Sequence, residues 1–422
     1  MNYTQARNYI DNCYKKGSVY GLEAIRALMN VLNNPQNGQR IIHIAGTNGK
    51  GSVGTFISNV LIEAGYKTGR FVSPTVYCYE ERFQINGRYI SNDSFAQVMT
   101  MVAEAAGTID FEPTGFELET AAALCYFNIE QCDVSIIECG LGGKSDATNV
   151  IDNNMLTVLT SISLDHTALL GSTITRIAKE KCGIIKYCTQ VVSIEQPREA
   201  EEVIRIACDK VGAEYSFVSK ADIKNQNFNG LAQSFDYGKY KNIKISMLGD
   251  YQFENAALAL RCVDVLNGKG FIIPEKAVYK GMEAAHWGGR FEVVNQAPLF
   301  ILDGAHNPDA AQRLKNSLDL YFKGRRMLFI IGVFADKDYD NILKCTAHLA
   351  ERIFAITAPS PRGLEAPVLV KAIKKYNENA YESDIGSAVE YCLKCKDYIT
   401  VAFGSLSFIG NITEYVRKFK EY

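Results

Sequence analysis

The run Ile41-Ile42-His43-Ile44-Ala45-Gly46-Thr47-Asn48-Gly49-Lys50-Gly51-Ser52 constrains this chain more than any other stretch. Ile41 to Ile44, mostly apolar and β-favouring, predict a buried strand, and Val53 to Ala64 predict a helix. The glycine-rich turn between them carries one lysine. Such a turn can wrap backbone N–H groups around a phosphate, with the helix N-terminus and the lysine supplying positive potential. Its spacing departs from the usual Walker pattern, because Gly51 separates Lys50 from Ser52. A plain β–α turn also uses glycine for backbone reasons, but it has no need of a lysine at the helix start. The expectation is a site for ATP or GTP.

With 422 residues the chain has room for two or three domains, each with its own core. A hydrophobic share of 47% beside 22% charged residues is that of an ordinary globular protein. The net charge of −2 argues against a general nucleic-acid or membrane-surface binder, while leaving room for a local basic site. The cysteines are scattered from Cys13 to Cys395, and the one CxxC pair, Cys392/Cys395, has no second pair or histidines near it. It reads as incidental rather than as a zinc site. Met1 to Arg7 lead straight into an amphipathic helix pattern, so no signal peptide is expected, and no apolar run reaches membrane-spanning length. Reduced thiols and a cytoplasmic location follow as expectations.

Apolar strands alternate with helical patterns over most of the sequence, the signature of a parallel α/β sheet. Residues 134–138, 156–162 and 190–194 read as strands; 173–181, 199–211 and 254–266 read as helices. Residues 226–247 suggest a local β excursion. The pattern breaks at Trp287-Gly288-Gly289-Arg290, after which 299–303, 327–333, 353–357 and 399–403 read as strands of a second alternation. A boundary near residue 295 divides the chain into 1–294 and 295–422, with the ligand expected in a cleft between the two.

Several strand ends carry chemistry. Glu138 closes an apolar strand and could hold Mg²⁺ beside nucleotide phosphates, or simply face solvent. His166 follows another strand, either as a metal ligand or as a core histidine bonded to Asp165. On pattern alone Lys181 belongs to a charged helix end stopped by Gly183. Arg290 at the junction and Asp303 before the next helix could brace their loops, or reach a nucleotide across the cleft.

Together these motifs resemble those of the folylpolyglutamate synthase/dihydrofolate synthase group of the Mur ligase superfamily. The match runs nearly end to end: Asn34-Pro35-Gln36, Gly46 to Ser52, Ser73-Pro74, Glu81-Arg82, Phe116-Glu117 with Thr120, and Glu138 to Gly143. It continues through Asp146 to Asn149, Asp165-His166-Thr167, Glu180 to Ile184, Gly289 to Glu292, Asp303 to Pro308 and Asp336-Lys337-Asp338. The resemblance implies a P-loop, Mur-ligase-like ATPase domain with a parallel sheet, plus a smaller C-terminal Rossmann-like α/β domain. It implies an ATP-dependent amide ligase in which Ser73, Glu138 and His166 hold Mg²⁺. Asn48, Gly49, Lys50, Gly51, Ser52, Asn255, Arg290 and Asp303 would contact ATP, and Phe116, Glu117, Asp146 and Ala147 would line a pterin site. Lys181 is similar to the lysine that the family carbamylates. His306 is a candidate for orienting the incoming amine.

The implied substrates are L-glutamate with folate, and with 7,8-dihydropteroate if both activities are present; the expected species is a monomer. Two positions depart from the family pattern: Thr75 stands where histidine is common, and Lys144 where arginine is. Lysine keeps the charge but loses the planar fork. The rival reading is a Mur-type amino-acid ligase acting on a non-folate carboxylate. The stretch before Gly46 is too short for the separate UDP-sugar domain such enzymes usually carry.

Overall fold

The structure, a computed structural model, describes residues 1–15, 17, 21–228 and 232–420. Its first sheet contains β1 (Ile41–Ala45), β2 (Thr68–Phe71), β3 (Phe83–Ile85), β4 (Arg88–Tyr89), β5 (Val134–Glu138), β6 (Leu156–Leu159), β7 (Gln190–Ile194) and β8 (Glu214–Val218). They lie in the order β4-β3-β2-β5-β1-β6-β7-β8. Neighbours from β2 to β8 are parallel, and β3 and β4 extend that edge antiparallel. β1 and β5 are buried along their whole length, as parallel strands covered on both faces must be.

Successive side chains of a strand point to opposite faces, and β1 feeds two cores accordingly. Ile42 and Ile44 join the helices Lys50–Glu63, Tyr251–Gly268 and Glu275–Ala284; Ile41 joins the N-terminal helices, including Asn92–Ala106 and Gly115–Ile129. The helix after β1 begins at Lys50 rather than Val53, so the lysine belongs to its first turn. Strand β6 stops at Leu159, before the expected end at Ile162.

The expected β excursion is a three-stranded antiparallel sheet of β9 (Ile223–Phe228), β10 (Gln233–Tyr237) and β11 (Tyr240–Ile245); residues 229–231 of that stretch lie outside the described residues. The second large sheet is built on β12 (Glu292–Gln296), which straddles the expected boundary near residue 295, with β13 (Leu299–Leu302), β14 (Met327–Ile331), β15 (Arg352–Ala355), β16 (Ala380–Glu382) and β17 (Ile399–Phe403) of the C-terminal domain. Their order is β12-β13-β17-β14-β15-β16, parallel except for the β12–β13 pair. Apolar clusters cover both faces of this mixed sheet.

Cys392 is buried within the helix Ile385–Lys394 and Cys395 caps its end; among the described residues no group of three His, Cys, Asp or Glu side chains gathers as a metal site. No described cysteine forms a disulfide, and Cys125, Cys139, Cys182, Cys208, Cys262 and Cys392 are buried. No helix among the described residues is long and apolar enough to cross a membrane.

Candidate active site

A cleft opens where β1, β5 and β6 end side by side, at the carboxyl edge where open α/β sheets bind ligands. Its floor is the loop from Gly46 to Ser52, and its far wall comes from Arg290 at the domain junction and from Asp303 and His306 of the C-terminal domain. Ser73, Glu138, His166, Lys181 and Asn255 line it as well. The cleft encloses about 1040 Å³, counted to its open mouth. Thirteen residues expected at an ATP, metal or catalytic site thus share one cavity, although they span positions 48 to 306.

Lys50 folds back over the loop, its Nζ donating to the Gly46 carbonyl at 3.2 Å and to that of Thr47 at 3.5 Å, and lying 3.9 Å from Glu138 Oε1. The glycine that breaks the Walker spacing has a steric reason. A Cβ on Gly51 would fall 2.6 Å from the indole nitrogen of Trp287, the chain's one tryptophan. Trp287 in turn lies under the Arg70 guanidinium, 4.2 Å from the ring centroid, and Arg70 donates to the Gly51 carbonyl at 2.7 Å. A buried arginine on β2 and a tryptophan therefore clamp the loop from behind. Gln252 adds a bond to Ser52 Oγ at 3.2 Å.

The three side chains expected to hold Mg²⁺, Ser73, Glu138 and His166, bring a hydroxyl, a carboxylate and an imidazole to the wall of the same cleft. Ser73 Oγ is buried and has no hydrogen-bond partner, an unsatisfied oxygen in the cleft wall. Burial raises the Glu138 carboxyl, with Lys50 and Arg70 pulling the other way. Burial lowers the His166 imidazole to about 4, so it is neutral and able to donate a lone pair near pH 7. One carboxylate, one hydroxyl and one imidazole leave positions for phosphate oxygens and water, which suits Mg²⁺ better than an all-protein cage would. The bland reading of His166 does not hold. Asp165 Oδ1 accepts from the backbone N–H of His166 at 2.8 Å, and the ring stays 3.9 Å from Oδ2.

Lys181 is far from a solvated helix-end cation. It is 4% exposed, and its Nζ donates to the Gly46 carbonyl at 2.8 Å. Burial, and next the charge of Lys50, push its amine down to about 7. Nor does Gly183 serve as a left-handed helix stop. A Cβ there would meet the Lys144 backbone at 2.3 Å, so glycine lets the loop after β5 lie against this helix end. Lys144 completes the contact by donating its N–H to the Glu180 carbonyl at 2.7 Å.

At the other end of the cleft, Asp303 is 4% exposed and accepts from the Tyr251 hydroxyl, Phe291 N and Ala305 N at 2.8–2.9 Å. Arg290 Nη1 donates to the Gly289 carbonyl at 3.0 Å. Asn255 Nδ2 donates to Gln252 Oε1 at 3.0 Å. His306 Nδ1 pairs with the Gly304 carbonyl at 2.7 Å, and its Nε2 lies 3.4 Å from Asp165.

The residues expected around a pterin lie outside the lining of this cleft. The Phe116 ring lies against Gly140 beside the cleft, but Glu117, Asp146 and Ala147 do not line it. Glu117 is committed to the capping box with Thr114 and to the Ile25 N–H at 3.2 Å. Asp146 braces the Leu141 and Thr148 backbone at 2.7 and 3.0 Å. Both carboxylates hold local backbone in place. The sequence reading missed Tyr251 and Arg313 in the cleft wall. Tyr251 sits in a polar helix start that was legible, whereas Arg313 is one of several charges on an amphipathic helix and carries no local signal.

The family pattern of the Mur ligase middle domain matches residues 44–263, and that of the Mur ligase glutamate ligase domain matches 289–405. The chain is 34% identical to the dihydrofolate synthase/folylpolyglutamate synthase of Bacillus subtilis, over 97% of this chain and 98% of that one. Among solved structures, Mycobacterium tuberculosis folylpolyglutamate synthase complexed with ADP superposes with a TM-score of 0.91 at 28% identity, covering 98% of each chain. E. coli FolC in complex with DHPP and ADP gives 0.88 at 28% identity, over 100% of this chain and 99% of that one.

Proposed function

Because this chain belongs to the folylpolyglutamate synthase/dihydrofolate synthase family of Mur ligases, we propose that its cleft joins L-glutamate to a folate carboxylate at the expense of ATP. The observation that carries this reading is the convergence of Lys50, Glu138, Lys181, Arg290 and Asp303 on one cavity between the two domains. We take these domains as 1–294 and 295–422. The enzyme is an ATP-dependent acid–amino-acid ligase.

The chemistry follows from the charges. A carboxylate is a poor electrophile, so its oxygen takes the γ-phosphoryl group of ATP, releasing ADP and leaving an acyl phosphate. The deprotonated α-amine of glutamate then attacks the acyl carbon, phosphate departs, and an amide remains. Phosphoryl transfer of this kind depends on positioning and charge neutralisation, roles that fall to Lys50 and the N–H groups of Asn48 to Ser52. Ser73, Glu138 and His166 would hold Mg²⁺, which supplies positive charge beside the phosphates when bound. Asn255, Arg290 and Asp303 would contact the nucleotide. His306, on the C-terminal domain, is placed to orient the amine. Phe116, Glu117, Asp146 and Ala147 would line the pterin site.

We read the protein as acting on dihydropteroate as well as on folate. The cleft is complete within one chain, which accords with a monomer, and the cysteine usage accords with the cytoplasm. The deciding experiment follows ADP release with ATP, Mg²⁺ and L-glutamate, comparing 7,8-dihydropteroate with tetrahydrofolate. Release with both substrates is expected. Release with tetrahydrofolate alone would leave a chain extender, and release with neither would overturn the folate reading and turn attention to Thr75 and Lys144.

Lys181 yields a separate prediction. An amine at about 7 is largely unprotonated at pH 8, so it can add CO₂ to form a carbamate, an anionic oxygen donor. Enzyme stripped of CO₂ should lose activity and regain it with bicarbonate, faster as pH rises through 7. Lys181→Ala should lose activity that short carboxylates partly restore. Wild-type rates in that variant would remove the carbamate from the mechanism. The same shift has a stability sign. Between pH 7 and the ordinary lysine range the unfolded chain binds the extra proton, so the uncarbamylated protein gains stability as pH rises across that window.

A further inference from the structure

Asp165 makes a set of contacts that neither phosphoryl transfer nor amide formation requires by itself. Its carboxylate belongs to the N-terminal domain, yet it accepts from Lys337 Nζ at 2.6 Å and Asn307 Nδ2 at 3.0 Å, with His306 Nε2 at 3.4 Å. All three groups come from the C-terminal domain. The side chains of Asp165 and Lys337 are each only 8% exposed, so this is a buried ion pair across a domain boundary. A second crossing lies beside it, where Asn48 of the phosphate loop donates to Asp309 Oδ2 at 2.9 Å.

The same carboxylate also reaches backwards. Oδ1 accepts the His166 N–H at 2.8 Å, and His166 has a φ of 49°, in the left-handed region that a non-glycine residue enters at some cost. One side chain thus touches the backbone of the expected metal ligand, the imidazole expected near the amine, and the lysine of the opposing domain. A buried pair contributes little net stability, because desolvation cancels much of the attraction, but losing one partner strands the other charge. With the domains apart, water solvates Asp165 and Lys337 separately. In this structure they are matched across the domain boundary.

We propose that Asp165 is a positioning residue that couples closure of the two domains to the alignment of His166 and His306. The kinetic part of this proposal rests on the ligase reading above. Asp303, one of the residues expected to contact ATP, is held by the Tyr251 hydroxyl and Phe291 N rather than by Asp165, so nucleotide binding should survive loss of the latch.

The test uses the full-length protein with Asp165→Asn, Lys337→Met, Lys337→Arg and the double variant Asp165→Asn/Lys337→Met. Lys337→Met should lower kcat/KM for glutamate by about 100-fold, since it leaves a buried carboxylate without its cation. ADP affinity by calorimetry should stay close to wild type, and Lys337→Arg should recover most of the loss. The double variant should be no worse than Asp165→Asn, the mark of a coupled pair. Small-angle scattering of the ADP complexes should show Asp165→Asn and Lys337→Met more extended than wild type. Unchanged glutamate kinetics, equal scattering profiles, or a proportional loss of ADP affinity would each overturn the latch. If wild type turns over with neither folate, the ligase reading fails, and scattering still decides the latch.

Discussion

Replacing Lys50 with alanine is expected to reduce ADP formation by on the order of 10³-fold, the range seen when a positioned charge-stabilising donor is removed. The side chain is 15% exposed and has no apolar role; it bonds two loop carbonyls and approaches Glu138. Alanine is the residue best tolerated in a first helical turn, and the loop stays clamped by Arg70, Trp287 and Gln252. Circular dichroism and the urea midpoint should therefore change little while turnover collapses. A coupled assay for ADP provides the check, and normal turnover would remove the phosphate-loop assignment.

Glu119→Ala should have the largest effect on stability, about 3–5 kcal/mol, the usual cost of stranding one member of a buried pair. The Glu119 side chain is completely buried and pairs with the Arg82 guanidinium, which is 12% exposed. It also accepts from the hydroxyls of Tyr14 at 2.5 Å and Tyr79 at 2.8 Å. These bonds tie the first helix, the segment before β3 and the helix Gly115–Ile129 to one carboxylate. Adding Arg82→Met to Glu119→Ala should restore part of the loss, because the stranded charge is gone. Chemical denaturation measures both variants. A loss below about 1 kcal/mol for the single variant would mean that Arg82 finds water.

These two residues also mark what could be read from the chain and what could not. Lys50 stands inside a contiguous pattern, strand then glycine turn then helix, whose period and punctuation are local. Glu119 lies in an apolar helical run, and its partners Tyr14, Tyr79 and Arg82 are 105, 40 and 37 positions away. No local rule joins them. Strand β2 escaped notice for a related reason: Thr68-Gly69-Arg70-Phe71 lacks an apolar run, because its arginine is buried to brace the phosphate loop. Lys181 read as a helix-end charge, and only the fold reveals that its tip reaches the Gly46 carbonyl. Glu117 and Asp146 show the converse. Their motifs were legible, but the sequence did not show that one caps a helix and the other braces a turn.

The buried thiols provide an internal clock for how this protein comes apart. Cys125 lies in the N-terminal helical layer, Cys262 in the core of the central helices, Cys182 and Cys208 beneath β7, and Cys392 in the C-terminal domain. Burial pushes Cys125, Cys182 and Cys392 up to about 12 and Cys208 to about 11, so the closed protein shields them from alkylation both sterically and chemically. Cys188, by contrast, is exposed and should react at once. Each later thiol becomes available only when its own layer opens, and the order in which they take up a mass tag would rank the local stabilities of the layers without any engineered probe.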